Sequence, residues 1–231
     1  MFGGMPAIAA AFAVAALLPS AATLSDEWTN STWAHPVANA PVRTAPSGSA
    51  RTIARLHPKT EMKSPEVYLM LSQQTDSKGR LWVRIRLPGQ PNGRTGWVRR
   101  ATLGDSHITH MALLIDKRKL KATLYKDGHP AWKAPIGIGT PSTPTPNGRF
   151  YVRELIKMNP GTGAYGPYIY GTSGYAKLSE FPGGGIIGIH GTNAPGLIPG
   201  APSHGCVRLR NQDLRRLQKL LPIGAPVRIR S

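Results

Sequence analysis

Three residues near the C-terminus have the types and spacing to do covalent chemistry. Cys206 is the single cysteine of a 231-residue chain and stands in Ser203-His204-Gly205-Cys206-Val207-Arg208. His190 opens His190-Gly191-Thr192-Asn193, upstream of it. Cysteine attacks as the thiolate, and a free pKa near about 8.5 leaves little thiolate at neutral pH. An adjacent imidazole can take the proton and hold an ion pair, and Arg208 favours the anion. The pattern therefore predicts a thiolate–imidazolium pair in the resting site. Gly205 lets the backbone approach a substrate carbonyl, so its N–H and that of Cys206 are the expected oxyanion donors. The bland alternatives are a buried, inert thiol and a satisfied core histidine. His190, His204 and Cys206 also make three candidate zinc ligands, although their spacing fits no familiar zinc motif and neither motif holds a carboxylate base. The expectation is no metal and no cofactor.

The wider stretch IHGTNAPGLIPGAPSHGCVRLRNQD, with TPTPNGRFYV at Thr143–Val152 upstream, resembles the signature of the L,D-transpeptidase catalytic domain family. The resemblance covers about residues 108–230. It implies a compact, mostly β catalytic domain whose active site lies under a flexible flap. It makes Cys206 the nucleophile and His190 the general base, with the Gly191 carbonyl orienting His190. His204 is left open between assisting the thiolate and a structural hydrogen bond; in an extended 204–206 segment it would face the same side as Cys206. Arg208, Ser203, Thr192 and Asn193 are the candidate substrate-binding positions.

The implied reaction is attack after the diaminopimelate L-centre of a peptidoglycan tetrapeptide stem. D-Ala leaves, a thioester forms on Cys206, and an acceptor amine resolves it. Water as acceptor would make an L,D-carboxypeptidase of the same site. Such a thiol would also be a carbapenem target. A zinc hydrolase and a non-enzymatic wall-binding protein remain the competing readings; a chelator separates the first, and binding that survives Cys206→Ser without turnover in the parent marks the second.

These residues need elements to hold them. Met111–Ile115, Leu120–Leu124, Ala131–Ile138, Arg149–Ile156, Ile186–His190, Cys206–Leu209 and Val227–Ile229 read as strands. Asp127-Gly128 is a hairpin turn. One helix begins at Asn211 as N-cap, with Asp213 in its first turn and Leu214, Leu217 and Leu221 as its apolar stripe. Asn159–Gly185, rich in Gly and Tyr, is the expected substrate lid. Its Tyr165, Tyr168, Tyr170 and Tyr175 read more readily as loop packing than as a substrate wall.

Upstream, Ala7–Leu18 is an apolar run too short to span a bilayer but suited to a signal-peptide core, although no Lys or Arg precedes it. Residues 1–22 are read as a signal peptide and 23–60, without apolar periodicity, as a linker. In residues 61–104 Leu81, Val83, Ile85 and Leu87 alternate with Arg80, Trp82, Arg84 and Arg86, as in a half-buried strand. With Thr95-Gly96-Trp97-Val98 this stretch resembles a bacterial SH3-like module and is expected to close on itself. The fold class is then mostly β: a β-sandwich-like catalytic domain (108–230) with one helix in its C-terminal region, plus a small SH3-like β-barrel.

The single cysteine excludes an intramolecular disulfide framework and a multi-thiolate zinc finger. Gly 26 and Pro 22 favour turns over long helices. A net charge of +18 asks for a polyanionic neighbour. Export points to peptidoglycan stems and anionic wall polymers rather than nucleic acid, although Trp82 between arginines could stack on bases. The expected location is the periplasm or cell wall, for a monomer with no transmembrane span.

Overall fold

The computed structural model describes residues 21–159, 163–176 and 185–231. The proposed signal peptide lies outside these residues apart from its last two positions. Among the described residues no helix is long and apolar enough to cross a membrane.

The first sheet contains β1 (Ala22–Thr23), β2 (Ser31–Pro36), β3 (Pro41–Arg43), β4 (Thr52–Arg55), β5 (Tyr68–Thr75), β6 (Leu81–Arg86), β7 (Thr95–Arg99) and β8 (Leu103–Thr109). The strands lie in the order β4-β3-β7-β6-β5-β2-β8, with β1 on β5. The expected linker is thus part of a folded sheet. Its Ala34, Val42 and Leu56 are fully buried beside Val83, Ile85 and Val98. Residues 61–104 do not close on themselves, because β5 pairs with β2 and β7 with β3.

Trp82 and Arg86 of β6 are covered, while Leu81 and Arg84 stay exposed. Trp82 is buried, and its Nε1–H donates to Asp76 at 2.8 Å. Buried Arg86 donates through Nη2 to Glu27 at 2.6 Å. The alternation is real, but a local carboxylate binds Trp82 and a distant one binds Arg86, which leaves Arg84 as the exposed member of that face. A buried Trp82 offers no ring for stacking on bases.

The second sheet contains β9 (Met111–Asp116), β10 (Lys121–Lys126), β11 (His129–Pro135), β12 (Gly137–Gly139), β13 (Gly148–Lys157), β14 (Tyr168–Tyr175), β15 (Ile186–His190), β16 (Gly200–Ser203), β17 (Val207–Arg208) and β18 (Pro226–Arg230). Their order is β11-β10-β9-β18-β13-β14-β15-β17-β12-β16. The mostly β class holds, with one α-helix, α1 (Asn211–Gln218), among the described residues. Asp127 and Gly128 both have positive φ, 50° and 77°, which is what the tight β10–β11 turn needs.

Leu214, Leu217 and Leu221 of the α1 region pack on Ile187, Ile189, Val207 and Tyr170 from one sheet face. Arg210, not Asn211, is the N-cap, and no side chain caps the helix. The supposed lid is in part β14, a central strand. Residues 163–167 form a bend and turn leading into it, and residues 160–162 and 177–184 lie outside the described residues.

A β-bulge in β13 decides what the opposite sheet face carries. Val152 pairs with Thr172, yet Glu154 pairs with Gly171, so Arg153 is the extra residue. A bulge lets two consecutive side chains point the same way. Arg153 meets Glu66, both buried, through a bidentate contact with Nε–Oε1 at 2.9 Å. It also reaches Glu61 at 3.0 Å and donates to the Tyr175 hydroxyl at 2.9 Å. Tyr151, Val67 and Leu69 make a small buried cluster beside this network. Asn92 then pairs with both backbone groups of Tyr175, at 2.8 and 2.9 Å. The first sheet is thereby fixed against the outer face of the second.

Candidate active site

The candidate catalytic residues stand on that same outer face. β15 and β17 run parallel, with Ile189 opposite Val207 and His190 opposite Arg208. The preceding pair is then Gly188 and Cys206. Side chains alternate along a strand, so Gly188, His190, Cys206 and Arg208 share one face while Ile187, Ile189 and Val207 fill the core. A cavity of about 240 Å³ opens over this face.

The Gly188 N–H donates to the Cys206 sulfur at 3.3 Å. His190 is buried, and its Nδ1–H donates to the Gly191 carbonyl oxygen at 2.7 Å. That bond leaves Nε2 as the basic nitrogen. Tyr165 packs edge-on against the imidazole, ring centroids 4.9 Å apart, and its carbonyl accepts from Gly191 N–H at 2.8 Å. Of the four tyrosines, Tyr165 alone lines the cavity; Tyr168 and Tyr170 belong to the core and Tyr175 to the interface network.

The electrostatics correct one expectation. Burial pushes the Cys206 thiol up, opposed by the Gly188 N–H and by Arg208. Burial also lowers the His190 pKa to about 4, with Arg208 acting in the same direction against the Gly191 bond. Both shifts favour the uncharged forms. Both groups are thus held toward their uncharged forms rather than as an ion pair, and the thiol donates to the Ile186 carbonyl at 3.9 Å.

The loop before Cys206 is held by its own polar groups. Gly205 has φ +124°, a conformation L side chains rarely adopt, so residues 204–206 are bent rather than extended. Ser203 Oγ donates to the Cys206 carbonyl at 2.6 Å and accepts from Gly205 N–H at 3.1 Å. Gly205 is therefore not a spare oxyanion donor; its N–H is already engaged. His204 is exposed and still lines the cavity.

Thr192 and Asn193 do not line it. Thr192 is buried and accepts from Ala194 N–H at 3.0 Å, shaping the turn, and Asn193 is exposed. Arg208 does line it, and its Nε is buried with no hydrogen-bond partner among the described residues. No group of three or more His, Cys, Asp or Glu side chains is arranged as metal ligands among the described residues.

Three residues escaped the sequence reading. Thr145 donates to the Gly205 carbonyl at 2.8 Å and accepts from Gly139 N–H at 2.9 Å. Asn211 Oδ1 accepts from Thr192 N–H at 2.9 Å, which explains why that side chain does not cap α1. Thr145 lay within the TPTPNGRFYV stretch and Asn211 just after the cysteine motif, which was the available signal. Glu154 lines the cavity from β13 and carried no local signal at all.

Residues 110–229 match the family model described as "YkuD: L,D-transpeptidase catalytic domain". The chain is 36% identical over 120 residues to the putative L,D-transpeptidase YkuD of Bacillus subtilis (strain 168), covering 52% of this chain and 65% of that protein. It is 39% identical over 87 residues to the probable L,D-transpeptidase ErfK/SrfK of Escherichia coli (strain K12), covering 38% of this chain and 26% of that one. The matches thus span less than two thirds of these relatives' own lengths. Among solved structures, an L,D-transpeptidase from Mycobacterium tuberculosis H37Rv aligns with TM-score 0.46 at 14% identity, covering 85% of this chain and 98% of that one.

Proposed function

Because the chain belongs to the L,D-transpeptidase catalytic domain family, we propose that it is an exported cysteine acyltransferase of peptidoglycan. The observation that carries this reading is the β15–β17 register, which sets Cys206, His190 and Arg208 on one cavity face. The donor is the tetrapeptide stem, attacked at the carbonyl of the diaminopimelate L-centre.

With thiol and imidazole both neutral at rest, proton transfer accompanies attack. His190 Nε2 takes the Cys206 proton as the sulfur bonds to the carbonyl carbon, then returns it to the leaving D-Ala amine. The Gly191 carbonyl steadies the imidazolium through Nδ1–H, the part a carboxylate plays in serine triads. The oxyanion is met by the Cys206 N–H, since the Gly205 N–H is bonded to Ser203. The unpaired Nε of Arg208 suits a stem carboxylate. An acceptor amine then releases the thioester, with His190 taking its proton.

Two measurements test the reading. Intact protein incubated with a carbapenem should gain one adduct on Cys206. With a disaccharide tetrapeptide, free D-Ala should appear together with a cross-linked dimer. No adduct and no D-Ala would remove the assignment, and D-Ala without dimer would make the protein a carboxypeptidase. The charge of +18 suits anionic wall polymers, and binding to purified sacculi should weaken with salt.

A further inference from the structure

Glu154 is the cavity carboxylate that the proposed mechanism leaves unused. It sits on the β13 bulge and is buried, only 2% exposed. Its register partner is Gly171, Gly171 is opposite Gly188, and Gly188 lies beside Cys206. One straight row therefore crosses four strands from the carboxylate to the nucleophile, with two glycines between them. The neighbouring row is Ile156, Ile169, His190 and Arg208.

Gly171 is required here, and the missing side chain at Gly188 leaves space beside the sulfur. A Cβ on Gly171 would come within 2.6 Å of Glu154 Oε1, and one on Gly188 within 3.6 Å of the Cys206 sulfur. The carboxylate thus folds down over Gly171, and the sulfur leans over Gly188. Directly opposed Cβ positions are roughly 5 Å apart, which with those two contacts keeps Sγ and Oε1 within about 12 Å.

The first sheet completes the arrangement. Thr60 donates its hydroxyl to Glu154 Oε2 at 2.7 Å, and Met62 lines the same cavity. Among the described residues no donor reaches Oε1. A buried carboxylate with one hydroxyl partner is half satisfied, and a cation is the ligand that corrects this most strongly.

We propose that Glu154, held by Thr60, is a specificity subsite for a terminal ammonium on the side chain of the donor residue whose carbonyl Cys206 attacks. This rests on the acyl-transfer reading above. The reach fits: in diaminopimelate or lysine six bonds separate the carbonyl carbon from the side-chain nitrogen. The acceptor amine does not fit, because it must arrive at the thioester itself. A neutral side chain of equal length would leave Oε1 unpaired.

The test separates recognition from chemistry. Tetrapeptide stems carrying diaminopimelate, lysine or norleucine at the third position are titrated calorimetrically into Cys206→Ser protein, with and without Glu154→Gln. The parent should bind both ammonium-bearing stems about tenfold to a hundredfold tighter than the norleucine stem, the range of a charged hydrogen bond. Glu154→Gln should equalise all three while keeping the parent melting temperature. Thr60→Val should reduce the preference by a smaller factor.

Equal affinity for lysine and diaminopimelate stems supports recognition of the ammonium alone; tighter diaminopimelate supports it with a partner for the second carboxylate. A preference that survives Glu154→Gln overturns the proposal. So does a parent with no preference, including one that binds none of the peptides. If the preference behaves as expected but Cys206 is never acylated by either ammonium stem, the subsite stands and the transfer reaction falls.

Discussion

Arg153 and Glu154 leave the same bulge in the same direction and have opposite surroundings. Arg153 is saturated: Glu66, Glu61 and Tyr175 all meet its guanidinium. Among the described residues Glu154 has one hydroxyl partner, and the cavity beyond it holds a neutral Cys206, a neutral His190 and an Arg208 Nε without a partner. The interface side of the sheet has spent its polar groups on internal partners. The cavity side has kept them for something else.

The largest expected effect breaks the cavity side. His190→Ala should slow carbapenem acylation of Cys206 by roughly 10²–10⁴, the range of a lost general base, with little change in melting temperature. A matching loss from His204→Ala would transfer the role to that residue. Next comes the interface. Glu66→Ala removes the buried bidentate partner of Arg153, leaving only the half-exposed Glu61 and the Tyr175 hydroxyl, and should cost about 2–4 kcal/mol in denaturant unfolding. A loss under 1 kcal/mol would show that the network is decoration rather than fastening.

A third prediction concerns pH and sharpens the contrast. Because the Cys206 pKa is raised, its thiolate is scarce at neutral pH and grows as pH rises. Iodoacetamide alkylation should therefore be slow at pH 7 and climb about tenfold per unit toward the thiol pKa. His190 stays neutral down to about 4, so carbapenem acylation should hold steady from about pH 5 to 8. Alkylation that stays fast in mild acid would restore the ion pair. The smallest effect belongs to the supports. Asn211→Ala or Ser203→Ala removes about 1 kcal/mol of hydrogen bonding, and each should slow acylation several-fold without abolishing it.

The proposed nucleophile, its proposed base and the strands beneath them were legible because their signals are local. Cys206 and His190 announce themselves by type and motif, and β10, β13 and β15 by apolar pattern. What stayed hidden is held by long-range partners. β2 reads as Ser-Thr-Trp-Ala-His-Pro, a loop by composition, and becomes a strand only because β5 and β8 flank it. Arg86 looks solvated until Glu27, 59 residues away, closes on it. Glu154 meets Thr60 across 94 residues. The protonation of the pair is hidden for the same reason: burial of both partners is a property of the folded cavity, and spacing along the chain does not record it.

The parallel pairing of β15 and β17 has a consequence for engineering. Parallel neighbours cannot be joined by a tight turn, so residues 191–206 must cross over outside the catalytic couple. The couple itself is aligned by the strand ladder and by the Thr192–Asn211 and Ser203–Cys206 bonds at the crossover's two ends. Between those anchors Gly196 is exposed, and a Cβ there would meet nothing within 4 Å. That position is a port: a peptide tag or fluorophore-bearing insert can be spliced in at Gly196, close in sequence to both proposed catalytic residues, while the register that sets them side by side on one face is kept from outside the splice.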